Sequence, residues 1–137
     1  MKKPELLAPA GSLAKLKYAV MYGADAVYIG GEAFSLRVAA KNFTAEEIKE
    51  GIDFAHKRGA KVYITANIIP HNSDLEKFPD FVREVSDIGA DAIIVSDLGT
   101  FSVVRSVAPN LDVHISTQAN NTNYASANMW HAMGAKR

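Results

Sequence analysis

The sequence contains no cysteine among its 137 residues. This absence excludes disulfide bonds, thiolate metal ligands and a cysteine nucleophile from the chain. The chain also lacks any apolar run of about 18 residues, so we expect no membrane-spanning helix. The apolar stretch from Leu6 to Ala10 is too short for the core of a secretory signal peptide. We therefore expect a cytoplasmic protein, a compartment that fits the lack of cysteine.

Net charge and known catalytic motifs are missing as well. Lys plus Arg and Asp plus Glu each number 15, so the formal net charge is zero. The total does not indicate a basic face for nucleic acid, although a local patch is compatible with it. The sequence has no Gly-x-Ser-x-Gly elbow, no His-Glu-x-x-His helix, no P-loop and no dinucleotide fingerprint. The sequence therefore contains none of these hydrolase or nucleotide-binding motifs from which a function could be identified.

What is present is an internal repeat. Gly23-Ala24-Asp25 and Gly89-Ala90-Asp91 each precede a run of β-branched, aromatic or alanine residues, and the segment 59–65 is a third copy. A fourth copy opens at 134–136. Each glycine follows an amphipathic segment, where helices commonly end in a left-handed residue. The apolar run after it is typical of a strand that is buried on both faces.

The repeat predicts an α/β fold of about five parallel βα units. We expect strands near 5–8, 25–30, 61–67, 91–96 and 112–118, with a helix after each. Thr44 and Glu47 form a capping box for one of these helices. Both a doubly wound sheet and part of an eight-stranded TIM-like barrel have this pattern, and a whole barrel needs about 250 residues. We interpret residues 1–137 as the N-terminal part of a (β/α) barrel domain that is truncated before the sixth strand.

The residues at the strand ends are the candidates for a site, because parallel βα folds bind ligands beyond the carboxyl ends of their strands. Alternation places Tyr63, Thr65 and Asn67 on one face of the third strand, opposite its apolar residues. The same alternation groups His114, Ser116 and Gln118 on the fifth strand. We expect both polar sets to line the interior of the sheet. The other candidates are Gly30, Gly31, Arg37 and Asp97.

Each candidate also has a structural interpretation. His114 fits an interior histidine with satisfied hydrogen bonds, and Asp97 fits a cap for the helix that follows it. Asn67 fits a partner for loop backbone, and Arg37 fits a surface side chain. Gly30 and Gly31 fit a tight turn as well as a cradle for a phosphate or carboxylate.

Three segments resemble peptidase family U32, the collagenase-like proteases. They are 5–12 (ELLAPAGS), 22–31 (YGADAVYIGG) and 114–120 (HISTQAN), and the resemblance covers essentially the whole chain. It implies an incomplete or divergent barrel that is usually followed by more chain. It further implies peptidase activity in some relatives, and hydroxylation of RNA bases or ubiquinone precursors in others. In the latter, cysteines beyond this region hold an iron–sulphur cluster, and this chain has none to match them.

Two classes of function follow from the resemblance. In a peptidase, Asp97 or His114 would be the general base and Asn67 or Gln118 would polarise the scissile bond of a peptide or protein substrate. In the alternative class, the chain belongs to an RNA- or ubiquinone-hydroxylation protein or is a partner subunit. We expect no cofactor in this chain itself, although a longer form could hold the iron–sulphur cluster. Since a half barrel exposes two sheet edges, we also expect self-association or pairing with the missing barrel half.

Overall fold

The computed structural model describes residues 3–31, 33–36 and 43–137 and contains one sheet of five parallel strands. The strands are β1 (Leu7–Pro9), β2 (Ala26–Gly30), β3 (Lys61–Ala66), β4 (Ala92–Val95) and β5 (Asp112–Ile115). Their order in the sheet is β1-β2-β3-β4-β5, and every neighbouring pair is parallel. A doubly wound sheet reverses its strand order at a switch point, whereas a barrel keeps chain order. The consecutive order therefore decides for the barrel-like alternative.

Within the described residues, six α-helices connect and follow these strands. They are α1 (Leu13–Met21), α2 (Ala45–His56), α3 (Asn72–Leu75), α4 (Phe78–Asp87), α5 (Leu98–Val107) and α6 (Tyr124–Met133). Ser12 caps α1 and Thr44 forms the predicted capping box with Glu47 at the start of α2. Pro79 lies in the first turn of α4, where its missing N–H is not needed. The short helix α3 has no counterpart in the sequence-based prediction.

The repeated glycines end helices as the sequence predicted. Gly23 has a φ of 99° and follows α1, and its N–H donates to the carbonyl of Val20. The N–H of Ala24 donates to the carbonyl of Ala19, which completes a Schellman ending. The same left-handed backbone and the same pair of bonds recur at Gly59, Gly89 and Gly134. A side chain at these positions would strain the backbone, which explains why glycine recurs there. The sequence repeat therefore marks the places where helices end.

The fourth glycine leads the chain back to the sheet, as the other three do. The N–H of Lys136 donates to the carbonyl of Val113 at 2.8 Å. The N–H of Ile115 donates to the carbonyl of Arg137 at 2.7 Å. Residues 136–137 therefore run alongside β5, bonded to it at two points, without forming a strand of their own.

The two faces of the sheet bury different sets of side chains. The outer face packs against the helices and includes Val62, Ile64 and Val113 in the main core. The inner face carries a smaller cluster around Ala26, Tyr63 and Ala92. This division confirms the alternation predicted for β3 and for the first half of β5.

The end of β5 differs from the prediction. The strand stops at Ile115, and Thr117–Ala119 form a 3-10 turn that ends at Asn120 in the left-handed conformation, with a φ of 53°. The period of two therefore ends with the strand and does not extend to Gln118, which the sequence had grouped with His114 and Ser116. Asparagine adopts the left-handed region more readily than most residues, which lets the chain turn here. Among the helices of the described residues, none has the length and apolar character that crossing a bilayer requires.

Candidate functional site

A cavity of about 390 Å³ lies over the inner face of the sheet, towards the carboxyl ends of β3 and β5. Its lining combines apolar and aromatic side chains with uncharged polar groups and one charged residue, Arg137. Its lining residues are Leu7, Tyr28, Ser35, Leu36, Thr65, Asn67, Ile94, His114, Ile115, Ser116, Thr117, Gln118 and Arg137. This is the end of a parallel sheet where βα proteins bind their ligands.

Asn67, Ser116 and Gln118 form a hydrogen-bonded group in this lining. The Nδ2 of Asn67 donates to the Oγ of Ser116 at 3.2 Å and to the Oε1 of Gln118 at 3.1 Å. The Oγ of Ser116 also donates to Gln118 Oε1. These bonds use the amide nitrogen of Asn67 and the amide oxygen of Gln118. Within the described residues, Asn67 Oδ1 remains able to accept a hydrogen bond from a ligand, and Gln118 Nε2 remains able to donate two.

Residues 33–36, which follow β2, close the opposite side, and Phe34 and Ser35 anchor them. Thr65 donates to the carbonyl of Ile29 at 3.1 Å, so Ser35 donates its own hydroxyl proton to Thr65 Oγ1, also at 3.1 Å. Phe34 adopts a φ of 61°, which is rare for a bulky residue. Its ring packs edge-on against Phe78 at 5.1 Å, which holds this backbone in place.

His114 is the one titratable imidazole in the cavity wall among the described residues. Its side chain is buried, and its Nδ1 is buried without a hydrogen-bond partner in the described part of the chain. Burial and, to a lesser extent, the positive charge of Arg137 lower the pKa of His114 from 6.5 to about 4. His114 is therefore neutral at physiological pH.

An ionic group lies directly beneath His114. The phenol of Tyr63 donates to Glu5 Oε2 at 2.8 Å, and Arg137 donates to Glu5 Oε1 at 2.7 Å. The hydrogen bond from Arg137 lowers the pKa of Glu5. Burial, together with the bond to Glu5, raises the pKa of Tyr63 to about 12. Glu5 is thus charged and Tyr63 is protonated at neutral pH.

The structure brings some of the predicted site residues together and separates others. Asn67, His114 and Gln118 line one cavity, although His114 does not bond to either amide. Asp97 lies outside that lining, and its Oδ1 accepts from the N–H of Thr100 at 3.0 Å. The alternative interpretation of Asp97 as the cap of α5 is therefore confirmed.

The remaining candidates contribute differently. Gly30 and Gly31 are not in the lining, and the missing Cβ of Gly30 makes room for the side chain of Ser35. Gly31 forms an isolated parallel bridge with Phe43. Arg37 lies outside the described residues.

Sequence reasoning missed several lining residues. Tyr28 is in register with Tyr63, so the alternation on β2 could have revealed it. Arg137 in the lining and its partner Glu5 outside it carried no signal, because 132 residues separate them. Among the residues that the structure describes, no three His, Asp, Glu or Cys side chains gather to hold a metal ion.

Acid should destabilise the protein through His114. Its folded pKa of about 4 lies below its unfolded value of 6.5, so the unfolded state binds more protons between these pH values. The stability contribution is complete above pH 6.5 and is lost as the pH falls towards 4. At about 1.4 kcal/mol per unit, the loss is roughly 3 kcal/mol. Urea unfolding at several pH values should show this loss for the wild type and a flatter profile for His114→Asn, whereas equal profiles would contradict it.

The comparison with known proteins identifies the family. The model of peptidase family U32 matches residues 11–137. The chain is 50% identical over 136 residues to tRNA hydroxylation protein P1 of Bacillus subtilis (strain 168), covering 99% of this chain and 32% of that protein. It is 49% identical to tRNA hydroxylation protein P of Haemophilus influenzae (strain ATCC 51907 / DSM 11121 / KW20 / Rd), covering 98% of this chain and 29% of that protein. The chain thus spans about a third of the length of these relatives.

A solved structure shows the same fold. The U32 peptidase Mk0906 superposes with a TM-score of 0.73, covering 98% of this chain and 58% of that one. The sequence identity is 18%, so this likeness concerns the fold alone.

Proposed function

The chain belongs to peptidase family U32, and from this membership and its cavity we propose that it is part of a protein that acts in the hydroxylation of RNA. The observation that carries the proposal is the identity of 50% and 49%, over nearly the whole chain, to two tRNA hydroxylation proteins. In this proposal the chain supplies the pocket that binds the base to be modified.

The chemistry of the cavity supports a base as its ligand. Bases taken out of a stack are bound by hydrogen bonds to their polar edges and by contacts to their faces. Asn67 Oδ1 offers an acceptor and Gln118 Nε2 offers donors, which matches an edge that carries an N–H beside a carbonyl. Leu36 and Tyr28 lie in the same lining and provide contact for a flat ring.

Peptide hydrolysis, which the family name implies, has less support. In the described residues, no serine or threonine hydroxyl bonds to a histidine or to a carboxylate, as an activated nucleophile would. Asp97 is engaged in capping α5. His114 has no carboxylate on its buried Nδ1 to orient it as in a hydrolytic triad.

The rest of the activity belongs to chain beyond these residues. An iron–sulphur cluster does not fit this chain, since the 137 residues include no cysteine. We propose that further βα units complete the barrel against the edges of this sheet, because the relatives are about three times as long. RNA as the partner agrees with the cytoplasmic location expected from the sequence.

Cells that lack the protein should lose a hydroxylated nucleoside from their tRNA. Mass spectrometry of digested tRNA would detect this as the disappearance of a nucleoside one oxygen heavier than its parent. Wild-type protein should restore it, and Asn67→Ala should restore about a fifth or less, since a lost pair of base contacts costs roughly 1–3 kcal/mol.

Asn128→Ala is the matched control, because Asn128 is exposed on α6 and should behave as wild type. Unchanged tRNA in cells without the protein would contradict the proposal. Cleavage of peptides by the purified protein, abolished by His114→Ala, would favour the peptidase instead.

A further inference from the structure

The buried ring of His114 has a feature that base binding by Asn67 and Gln118 does not explain. Its Nδ1 is buried and has no partner among the described residues, yet the ring forms part of the cavity wall. A ligand in the cavity can therefore meet only the other ring nitrogen, Nε2.

The position of the proton on this ring follows from burial. A neutral imidazole carries one N–H, and the bare nitrogen is an acceptor. Buried N–H groups without a partner are rarer in proteins than under-satisfied acceptors. A proton on Nδ1 would leave such a donor unpaired, at a cost of about 1–3 kcal/mol. The proton belongs on Nε2, where a ligand oxygen can accept it.

Tyr63 fixes the orientation of the ring. The two rings meet edge to face, with centroids 4.6 Å apart and an interplanar angle of 77°. Tyr63 is itself held by its bond to Glu5, and the guanidinium of Arg137 lies 5.4 Å from the centre of its ring. A chain of contacts thus connects the start of β1, β3 and residue 137 to His114.

The charges around His114 come from each of these elements. Arg137 and Lys61 oppose a positive charge on the ring, while Asp112 and Glu5 favour one. Glu5 and Arg137 are bonded to each other, and their charges act on His114 in opposite directions. Removing either residue leaves the charge of the other uncompensated at His114.

We propose that burial keeps His114 a neutral imidazole with its proton on Nε2, and that Glu5, Tyr63 and Arg137 are positioning residues that hold the orientation of its ring. His114 then donates a hydrogen bond to a carbonyl oxygen of the ligand. The identity of that ligand as a base rests on the proposed function, whereas the state of His114 does not.

The test is nuclear magnetic resonance of the ring nitrogens of His114 in the ligand-free protein, assigned with His114→Gln. The nitrogen shifts should show a neutral ring protonated on Nε2 at pH 7. Glu5→Gln should lower the midpoint of the His114 titration and Arg137→Met should raise it, each by roughly half to one unit. A midpoint that moves the same way in both variants, or a proton on Nδ1, would overturn the proposal.

Glu50→Gln is the matched control. Glu50 pairs with Lys17 at 2.6 Å on the surface between α1 and α2, and its loss should leave the titration of His114 unchanged. If Glu5→Gln does not fold, the tautomer of the wild type and the response of Arg137→Met still decide the proposal. Since no RNA is present, these results are independent of the tRNA measurement.

Discussion

Phe78→Ala is expected to lower the free energy of unfolding by about 3–5 kcal/mol. Phe78 at the start of α4 is fully buried, and its ring packs against Phe34 and Phe81. Truncating it removes the free energy gained by transferring the ring from water into the core, and it leaves a cavity that the surrounding elements cannot fill completely. The change should appear as a lower denaturation midpoint in guanidinium chloride.

The substitution should also reach the functional cavity. Phe34 keeps its left-handed backbone because Phe78 and Phe81 hold its ring. Without Phe78, the adjoining Ser35 and Leu36 lose their support and one wall of the cavity loosens. Tyr124→Ala is the control, because Tyr124 is 82% exposed and its loss should cost no more than about 0.5 kcal/mol. A loss below about 1 kcal/mol in Phe78→Ala would show that α4 does not anchor this loop.

If the proposed function is right, Gly30→Ala is expected to reduce the activity about a hundredfold, the effect of displacing a site by roughly an ångström. A Cβ on Gly30 would lie 2.6 Å from Ser35 Oγ and 3.2 Å from Thr65 Oγ1. Ser35 must move, and its bond to Thr65 breaks. Alanine is otherwise better than glycine within a strand, so any loss comes from this contact alone. The recovery of hydroxylated tRNA in complemented cells measures the effect.

Gly11→Ala is the matched control for Gly30→Ala. Gly11 lies between β1 and α1, and a Cβ there would meet no atom within 4 Å. It should retain wild-type activity. Equal activity in the two variants would mean that the Ser35 loop does not shape the site.

The parts of the molecule that the sequence predicted are those with local causes. The endings at Gly23, Gly59, Gly89 and Gly134 follow from the freedom of glycine at positive φ. The capping box of Thr44 and Glu47 depends on residues three apart. The faces of β3 follow from alternation, which correctly predicts that Thr65 and Asn67 point towards the cavity.

The predictions that failed or stayed open depended on non-local contacts. Alternation did not extend to Gln118, because the chain leaves β5 for a 3-10 turn after Ile115. Asp97 had two interpretations, and only the position of the Thr100 amide identified it as a cap. The catalytic roles proposed for Asp97 and His114 and the binding roles of Gly30, Gly31, Arg37, Asn67 and Gln118 stay predictions.

By itself, the sequence determined the βα repeat, its family and the polar residues that face inward, because periodicity and helix endings act over a few residues. Only the tertiary structure decided between a barrel-like and a doubly wound order of strands. It also joined Glu5 to Arg137 and placed Tyr63 beneath His114. Those contacts exist because parallel crossovers bring segments that are distant in sequence to one face of the sheet. Burial and charge depend on distance in space, so they could not be inferred from the order of residues along the chain.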